Sequence, residues 1–289
     1  MKLGVITDGI SRDFEHALKR MAEFGLQHAE LQFVWDKEVG DHSNEQIQQI
    51  KTLAEQYDIT ISCISRHNFA GLSVMDVEPA DEIFQTHLHG LKCCIDMAKT
   101  LGTKLVRIMS GRKEMILFGH NGAEVWNVSN GAWDRFLKLM EPIVQVAEDN
   151  DVTLVVETGN NSMITSGFLG KKLIDDLGSK RLKILWDIPN TLYCADIPYP
   201  NAYEHIKDHI GHIHIKDAKV NIPHATLGIC PLGEGDAAPY LADIATALKR
   251  DNYQGIISYE SVYRPDGGTF EDGFRTCMPA FKRIFGDNA

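Results

Sequence analysis

The amino-acid sequence predicts an α/β protein that folds as a single (β/α)8 barrel. Eight short runs rich in Val and Ile recur along the 289 residues, and a segment with helical periodicity follows each of them. The runs alternate little between apolar and polar residues, which is typical of parallel strands covered by helices. No linker or change of composition marks a boundary, so we expect one domain over residues 1–289.

The predicted strands are short apolar segments rich in β-branched residues. In chain order they cover residues 3–7, 29–34, 59–65, 104–109, 152–157, 182–187, 211–216 and 255–260. No glycine-rich G-x-G-x-x-G pattern follows the first strand, which argues against an open dinucleotide-binding sheet. Eight alternations of strand and helix favour a closed barrel over such a sheet.

Start, stop and periodicity signals predict helices between the strands. Ser11 precedes one helical segment, and Ser43 with Gln46 forms a capping-box pattern before another. Apolar residues at helical spacing run from residue 81 to a glycine at 102, where a helix end favours positive φ. The clearest amphipathic pattern covers residues 133–147.

Two connections are longer than the others and are rich in glycine. Residues 110–131 follow the fourth strand and residues 217–239 follow the seventh. Long loops at the C-terminal mouth of a barrel commonly shape substrate access, and we expect this role for both.

Composition limits the classes of partner. The net charge is −11, from 40 acidic and 29 basic residues, which disfavours nucleic acid because its binding requires basic surface. No apolar run reaches the length of a membrane span, and the first strand leaves no room for a signal peptide. Six cysteines without C-x-x-C spacing are typical of reduced thiols, so we expect a cytoplasmic protein.

Four potential metal ligands end the last four predicted strands. They are Glu157, Asp187, His214 and Glu260. The C-terminal ends of parallel barrel strands converge on one mouth, so we expect these side chains to surround one divalent ion. Three carboxylates and one imidazole suit Mn²⁺ first, with Mg²⁺, Co²⁺ or Zn²⁺ as alternatives. His212 points to the same side as His214, and we expect it deeper in the barrel as packing or support.

Such a centre can bind a substrate that chelates the ion, for example an α-hydroxy carbonyl compound. Polarisation of the carbonyl acidifies the adjacent C–H bond, and a ligand carboxylate with a free oxygen can take the proton. The sequence therefore predicts a small-molecule substrate and proton-transfer chemistry.

Three further residues near the predicted mouth are candidate substrate ligands. His67 follows the third strand and can bind a hydroxyl or relay a proton, although a turn or capping role is equally consistent with its position. Lys216 can stabilise an enediolate or form a salt bridge within the barrel. Arg107, inside the fourth strand, can hold a carboxylate or phosphate through paired N–H groups.

The segments VVETGN, LWDIPN, HIHIKDAK and ISYES resemble those of the xylose isomerase-like TIM barrels. This superfamily includes sugar isomerases and epimerases, hydroxypyruvate isomerases, inosose dehydratases and the family 2 AP endonucleases, among them endonuclease IV. The resemblance implies that Glu157, Asp187, His214 and Glu260 are metal ligands. It also implies that Glu157 and Glu260 form an acid/base pair that works through an enediolate.

The chain departs from two branches of this superfamily. Ketose epimerases have a histidine three residues after the aspartate, where this chain has Asn190, and an arginine after the metal histidine, where it reads IKDAKV. Asn190 is therefore a candidate substrate ligand at that position. Endonuclease IV needs further histidines that this sequence lacks, which argues against a trinuclear phosphodiesterase.

The sequence thus predicts a metal-dependent isomerase or epimerase of a small sugar or keto sugar. The alternative is a dehydratase or lyase that acts on a keto sugar, an inosose or a keto-glycoside. A non-catalytic sugar-binding barrel is a third interpretation, which the presence of all four ligands disfavours. By resemblance, a homo-oligomer (dimer or tetramer) is expected.

Overall fold

Eight parallel strands close into a barrel in a computed structural model of the chain, which describes residues 1–112, 131–224 and 226–286. The barrel strands are β1 (Lys2–Ile6), β2 (His28–Leu31), β3 (Thr60–Ile64), β4 (Leu105–Ile108), β5 (Thr153–Glu157), β6 (Leu182–Asp187), β7 (Ile210–Ile215) and β8 (Ile256–Tyr259). Each strand pairs with its neighbours in chain order, and β1 pairs with β8. The predicted (β/α)8 barrel is confirmed.

The second predicted strand is longer than the observed one. β2 ends at Leu31, and Phe33–Val34 instead pairs antiparallel with Lys37–Glu38. Trp35 and Asp36 between them have φ values of 48° and 61°, the signature of a tight hairpin turn. Periodicity alone extended the strand to residue 34 because Trp35 is not a residue type that signals such a turn.

Helices cover the outside of the barrel. They are α1 (Phe14–Glu23), α2 (Asn44–Gln56), α3 (Glu82–Leu101), α4 (Ala132–Asn150), α5 (Gly167–Leu177), α6 (Ile188–Tyr193), α7 (Tyr203–Ile206), α8 (Ala238–Arg250) and α9 (Phe270–Phe285). Short helical turns form at Thr7–Gly9, Pro198–Ala202 and Ile222–His224. None of the helices in the described part of the chain has the length and apolar character needed to span a membrane.

Helix caps follow the predicted signals with one exception. The Ser43 hydroxyl accepts from Gln46 N while the Gln46 side chain accepts from Ser43 N, which confirms the capping box of α2. Gly102 ends α3 with a φ of 79°, as expected. Ser11 was predicted as the entry signal of α1, but Asp13 is the N-cap, because its carboxylate accepts from His16 N.

The interior of the barrel contains both apolar and polar side chains. Cys63, Val155 and Leu185 form a small, fully buried apolar cluster. Charged and polar side chains share the interior with this cluster, among them Glu30 and His212, which are also fully buried. Buried charged groups are costly unless they are paired. The presence of such groups in the barrel interior therefore indicates a candidate functional site there.

Candidate metal centre

The four predicted metal ligands lie together at the C-terminal mouth of the barrel. Glu157 ends β5, Asp187 ends β6, His214 is in β7, and Glu260 directly follows β8. One ligand atom from each of them lies within 4.8 Å of every other. Strand register explains part of this arrangement, since Asp187 is paired with His214.

The four side chains differ in their exposure. Asp187 and His214 are fully buried and Glu157 is 6% exposed, whereas Glu260 is 24% exposed. Glu260 also lines a cavity that opens from the mouth. A molecule that enters from solvent therefore meets Glu260 first.

The residues at this centre fit a divalent cation. His214 Nδ1 is buried and has no hydrogen-bond partner among the described residues, and it lies 3.5 Å from Glu157 Oε1. An unpaired imidazole nitrogen among carboxylates is the arrangement that a metal ion satisfies, because each of these atoms is a metal ligand in proteins. The ligand role itself stays a prediction.

Arg107 supports Glu157 from inside the barrel. Its Nη1 donates to Glu157 Oε2 at 2.9 Å, and its Nη2 donates to the Ser65 carbonyl at 2.6 Å. Burial opposes ionisation of Glu157, but the Arg107 guanidinium and His214 hold the pKa of Glu157 well below its usual range. Arg107 was predicted to bind substrate; the described contacts instead join it to Glu157, and its predicted contact with substrate stays untested.

Lys216 lies between two of the predicted metal ligands. Its Nζ donates to Asp187 Oδ2 and to Glu260 Oε2, the latter at 2.5 Å. Burial raises the pKa of Asp187 to about 7, and the charge of Lys216 opposes this shift. The salt bridge considered for Lys216 is therefore present, and it places an ammonium group beside Glu260 at the mouth.

Asn190 orients Asp187. The Asn190 side-chain amide donates to Asp187 Oδ2 at 2.7 Å and to the Thr158 carbonyl at 3.0 Å. The sequence analysis did not single out Thr158. Its hydroxyl accepts a hydrogen bond from Asp187 N at 2.9 Å. The amide is thus held against a predicted metal ligand, and its contact with a substrate stays a prediction.

His67 belongs to a hydrogen-bonded chain at the edge of the mouth. Its Nδ1 lies 2.7 Å from Glu38 Oε1, and its Nε2 lies 2.7 Å from Gln32 Nε2. Burial raises the pKa of Glu38, but hydrogen bonds from His67 and the charge of the nearby Arg66 outweigh it and lower that pKa to about 2. His67 is 41% exposed, which is compatible with a role in substrate binding.

Glu30 is a buried carboxylate that sequence reasoning missed. It lies in β2 beneath the centre, where its two oxygens contact His212 Nε2 at 2.8 Å and His214 Nε2 at 2.9 Å. His212 was expected to lie deeper in the barrel than His214, and its contact with Glu30 is consistent with that position. One signal could have found Glu30: a carboxylate inside a predicted buried strand needs a partner.

A cavity of about 630 Å³ leads from the centre towards the loops after β1 and β8. Its wall includes Asp8, Arg12, Gln32, Glu260, Ser261 and Phe270. Hydroxyl, carboxylate, amide and guanidinium groups beside an exposed aromatic ring provide the hydrogen bonds and apolar contact that a polyhydroxylated molecule needs.

The structure describes most of the long connection after β7, residues 217–239, but little of the one after β4, residues 110–131. Within residues 217–239, Ala218–Asn221 and Thr226–Ile229 form a hairpin. Asp217 fixes the following turn by accepting from the backbone N–H groups of Gly233 and Gly235 at 3.0 and 2.9 Å. In the other connection, residues 113–130 lie outside the described residues, so its predicted role in substrate access is not tested.

Family comparison agrees with the fold. The model of the xylose isomerase-like TIM barrel family matches residues 18–280. The chain belongs to this family. The resemblance proposed from the four strand-end motifs is thereby confirmed.

Solved structures show the same barrel at low sequence identity. The probable 3-DHS dehydratase AsbF from Bacillus anthracis is 16% identical with a TM-score of 0.73, over 98% of this chain and 99% of that one. A D-psicose 3-epimerase in the presence of D-fructose is 16% identical with a TM-score of 0.69, over 99% and 100%. A xylose isomerase-like TIM barrel protein from Mycobacterium smegmatis in complex with magnesium is 17% identical, with a TM-score of 0.63 over 94% and 89%. No curated protein matches the chain.

Proposed function

We propose that this xylose isomerase-like barrel is a divalent-metal-dependent isomerase or epimerase of a small sugar or keto sugar, acting through an enediolate. The observation that carries the proposal is the convergence of Glu157, Asp187, His214 and Glu260 within 4.8 Å at the mouth. The fold shared with a D-psicose 3-epimerase supports it.

The proposed cofactor is one divalent cation held by these four side chains. When bound, the ion polarises the substrate carbonyl and so acidifies the neighbouring C–H bond. Manganese is our first choice because most of the donors are oxygen atoms, and Mg²⁺, Co²⁺ or Zn²⁺ are alternatives. The magnesium complex of the Mycobacterium smegmatis protein supports a hard divalent cation. The cytoplasmic location and the dimer or tetramer stay predictions.

Glu260 and Glu157 are the proposed acid/base pair. They come from opposite ends of the run β8–β7–β6–β5, so a substrate bound between them presents a different face to each. Glu260 is exposed to the cavity, while Glu157 is held ionised by Arg107. One carboxylate removes a proton beside the carbonyl and the other returns it. Return to the same carbon on the opposite face inverts that stereocentre, and return to the former carbonyl carbon moves the carbonyl group.

The remaining polar groups would bind the substrate. Lys216 places a positive charge beside Glu260, where negative charge develops on an enediolate oxygen. His67 can contact a hydroxyl at the edge of the mouth. Asn190 and Arg107 complete the proposed set of substrate-binding residues. Asn190 fixes the orientation of Asp187, and Arg107 fixes that of Glu157.

A dehydratase or lyase is the second candidate. Asn190 occupies the position of the histidine expected in ketose epimerases, and its amide is bound to Asp187 and Thr158. Lys216 beside Glu260 could donate a proton to a leaving hydroxyl or glycosidic oxygen after the same C–H bond is broken. The shared fold of the probable 3-DHS dehydratase AsbF supports this alternative.

Elemental analysis followed by a substrate screen in deuterated water tests the proposal. Keto and aldo sugars, inososes and keto-glycosides are incubated with the Mn²⁺-loaded protein and followed by NMR. Deuterium that enters a substrate carbon with formation of a new isomer supports the isomerase or epimerase. Loss of water or release of a fragment supports the lyase. Metal-bound protein that exchanges no C–H bond in any compound contradicts both.

Variants assign the chemistry to the two glutamates. Because a positioned acid or base contributes about 10²- to 10⁴-fold, Glu157→Gln and Glu260→Gln should each lower kcat by at least about 10²-fold. Glu234→Gln, which changes an exposed glutamate in the turn after the hairpin, is the matched control and should leave kcat unchanged. Retention of activity in Glu260→Gln would remove Glu260 from the mechanism.

A further inference from the structure

Glu30 forms the floor of the candidate metal centre. Its side chain, like those of His212 and His214, is fully buried. Glu30 Oε2 lies 2.8 Å from His212 Nε2, and Glu30 Oε1 lies 2.9 Å from His214 Nε2. The Ser65 hydroxyl also donates to Oε1. Both carboxylate oxygens of Glu30 therefore take part in hydrogen bonds, and each histidine contacts Glu30 through its Nε2 atom.

These contacts decide which nitrogen of His214 is free. A carboxylate only accepts hydrogen bonds, so the nitrogen that faces Glu30 must carry the proton. The other nitrogen, Nδ1, lies on the side of Glu157 and has no hydrogen-bond partner among the described residues. The ring is thus oriented with Nε2–H into the barrel and Nδ1 towards the carboxylate cluster.

We propose that Glu30 is a positioning residue for the metal centre. It holds the His214 ring so that Nδ1 is the atom offered to the divalent ion. A carboxylate that accepts the other N–H of a metal-binding histidine fixes the tautomer and raises the basicity of the ligand. The inference rests on the proposed function only in assuming that the four-residue cluster binds a metal.

A second metal ion held by Glu30, His212 and His214 is the competing interpretation, since these atoms also lie close together. The observed N–O separations of 2.8 and 2.9 Å are those of hydrogen bonds. Ser65 donates to the same Glu30 oxygen as His214, which leaves this oxygen fully used by donors. The contacts therefore favour a hydrogen-bonded support over a second ion.

Mn²⁺ binding by the full chain without substrate tests the proposal. Glu30→Gln has nearly the same shape but offers one acceptor and one donor group where two acceptors are needed. We expect it to bind Mn²⁺ about 10- to 100-fold more weakly by titration calorimetry, the range found for such supporting groups. Thermal unfolding without metal measures any general loss of stability separately.

Glu38→Gln is the matched control. It makes the same substitution in another hydrogen-bonded glutamate–histidine pair, Glu38 with His67, which lies outside the proposed ligand set. Its Mn²⁺ affinity should stay within about threefold of that of the unmodified protein. An equal loss in both variants would contradict a specific role for Glu30.

Nitrogen NMR of the unmodified chain loaded with Zn²⁺ keeps the test independent of whether the Glu30 variant folds. We expect the His214 resonances to show a metal-bound Nδ1 and a protonated Nε2. Coordination through Nε2, two ions per chain, or unchanged Mn²⁺ affinity in Glu30→Gln would each overturn the inference. If the chain binds metal with this geometry but transforms no sugar, the proposed activity fails and the role of Glu30 stands.

Discussion

Each carboxylate of the four-residue cluster at the mouth has a cationic partner among the described residues. Glu157 contacts Arg107, while Asp187 and Glu260 contact Lys216. Buried charges persist only when such partners offset the loss of hydration. Individual side chains therefore set the electrostatics of the centre, and single substitutions should change stability and metal binding separately.

Arg107→Met tests the pair below the centre. Removing one member of a buried ion pair typically costs about 3–5 kcal/mol of unfolding free energy because the other charge is left uncompensated. We expect a loss of this size in chemical denaturation without metal, and a smaller loss with saturating Mn²⁺, which would neutralise Glu157. Arg12→Met, which breaks an exposed pair with Asp36, should cost at most about 1 kcal/mol.

Glu38→Gln should make stability depend less on pH in the acidic range. The folded-state pKa of Glu38 is about 2, below its ordinary value of 4.5. Its ionised form therefore stabilises the folded chain fully above the ordinary value, and this contribution is lost as the pH falls towards 2. The stability difference between the unmodified protein and the variant should shrink between pH 6 and pH 3. A constant difference in urea unfolding would contradict the assignment.

At the scale of single elements, local signals predicted the strands and helices but not all of their ends. The capping box of α2 and the terminal glycine of α3 are local, because the bonded groups lie within four residues of one another. The hairpin through Trp35 and Asp36 was missed, because only Asp36 is a typical turn residue and Trp35 does not signal a positive φ. Element type was thus more predictable than element boundary.

Gly102→Ala measures the free-energy cost of the left-handed backbone conformation at the end of α3. A Cβ at Gly102 would contact nothing within 4 Å, so only the positive φ of 79° opposes the substitution. The left-handed conformation costs a residue with a Cβ about 1–2 kcal/mol, and we expect that loss in thermal unfolding. Gly228→Ala, in the hairpin, also meets open space but has no positive φ, and it should be nearly neutral. Equal effects of the two substitutions would contradict this explanation.

At the scale of the whole molecule, barrel closure turns four distant strand ends into one centre. β5 to β8 are adjacent in the barrel, so their C-terminal ends share one side of the mouth. A ligand that binds only this assembled arrangement must stabilise the folded state by mass action. Metal binding and folding are therefore expected to be coupled.

Mn²⁺ should raise the unfolding temperature of the chain. At a free concentration 100 times the Kd, the folded state gains about 2.7 kcal/mol of stability, and a chelator should reverse the gain. Asp187→Asn removes one ligand charge and should abolish most of the increase, as measured by calorimetry with and without the ion. An equal increase in Asp187→Asn would show that Mn²⁺ binds elsewhere.

The sequence by itself determined the barrel, the strand order and the four strand-end residues, because β-branched runs and helical periodicity are local and parallel strands impose a common direction. Only the tertiary structure decided how these residues are supported. The contacts of Arg107 with Glu157, of Lys216 with Asp187 and of Glu30 with His214 join residues that are 50, 29 and 184 positions apart in the chain. Such pairings depend on barrel closure and side-chain direction, which no local pattern of residues encodes.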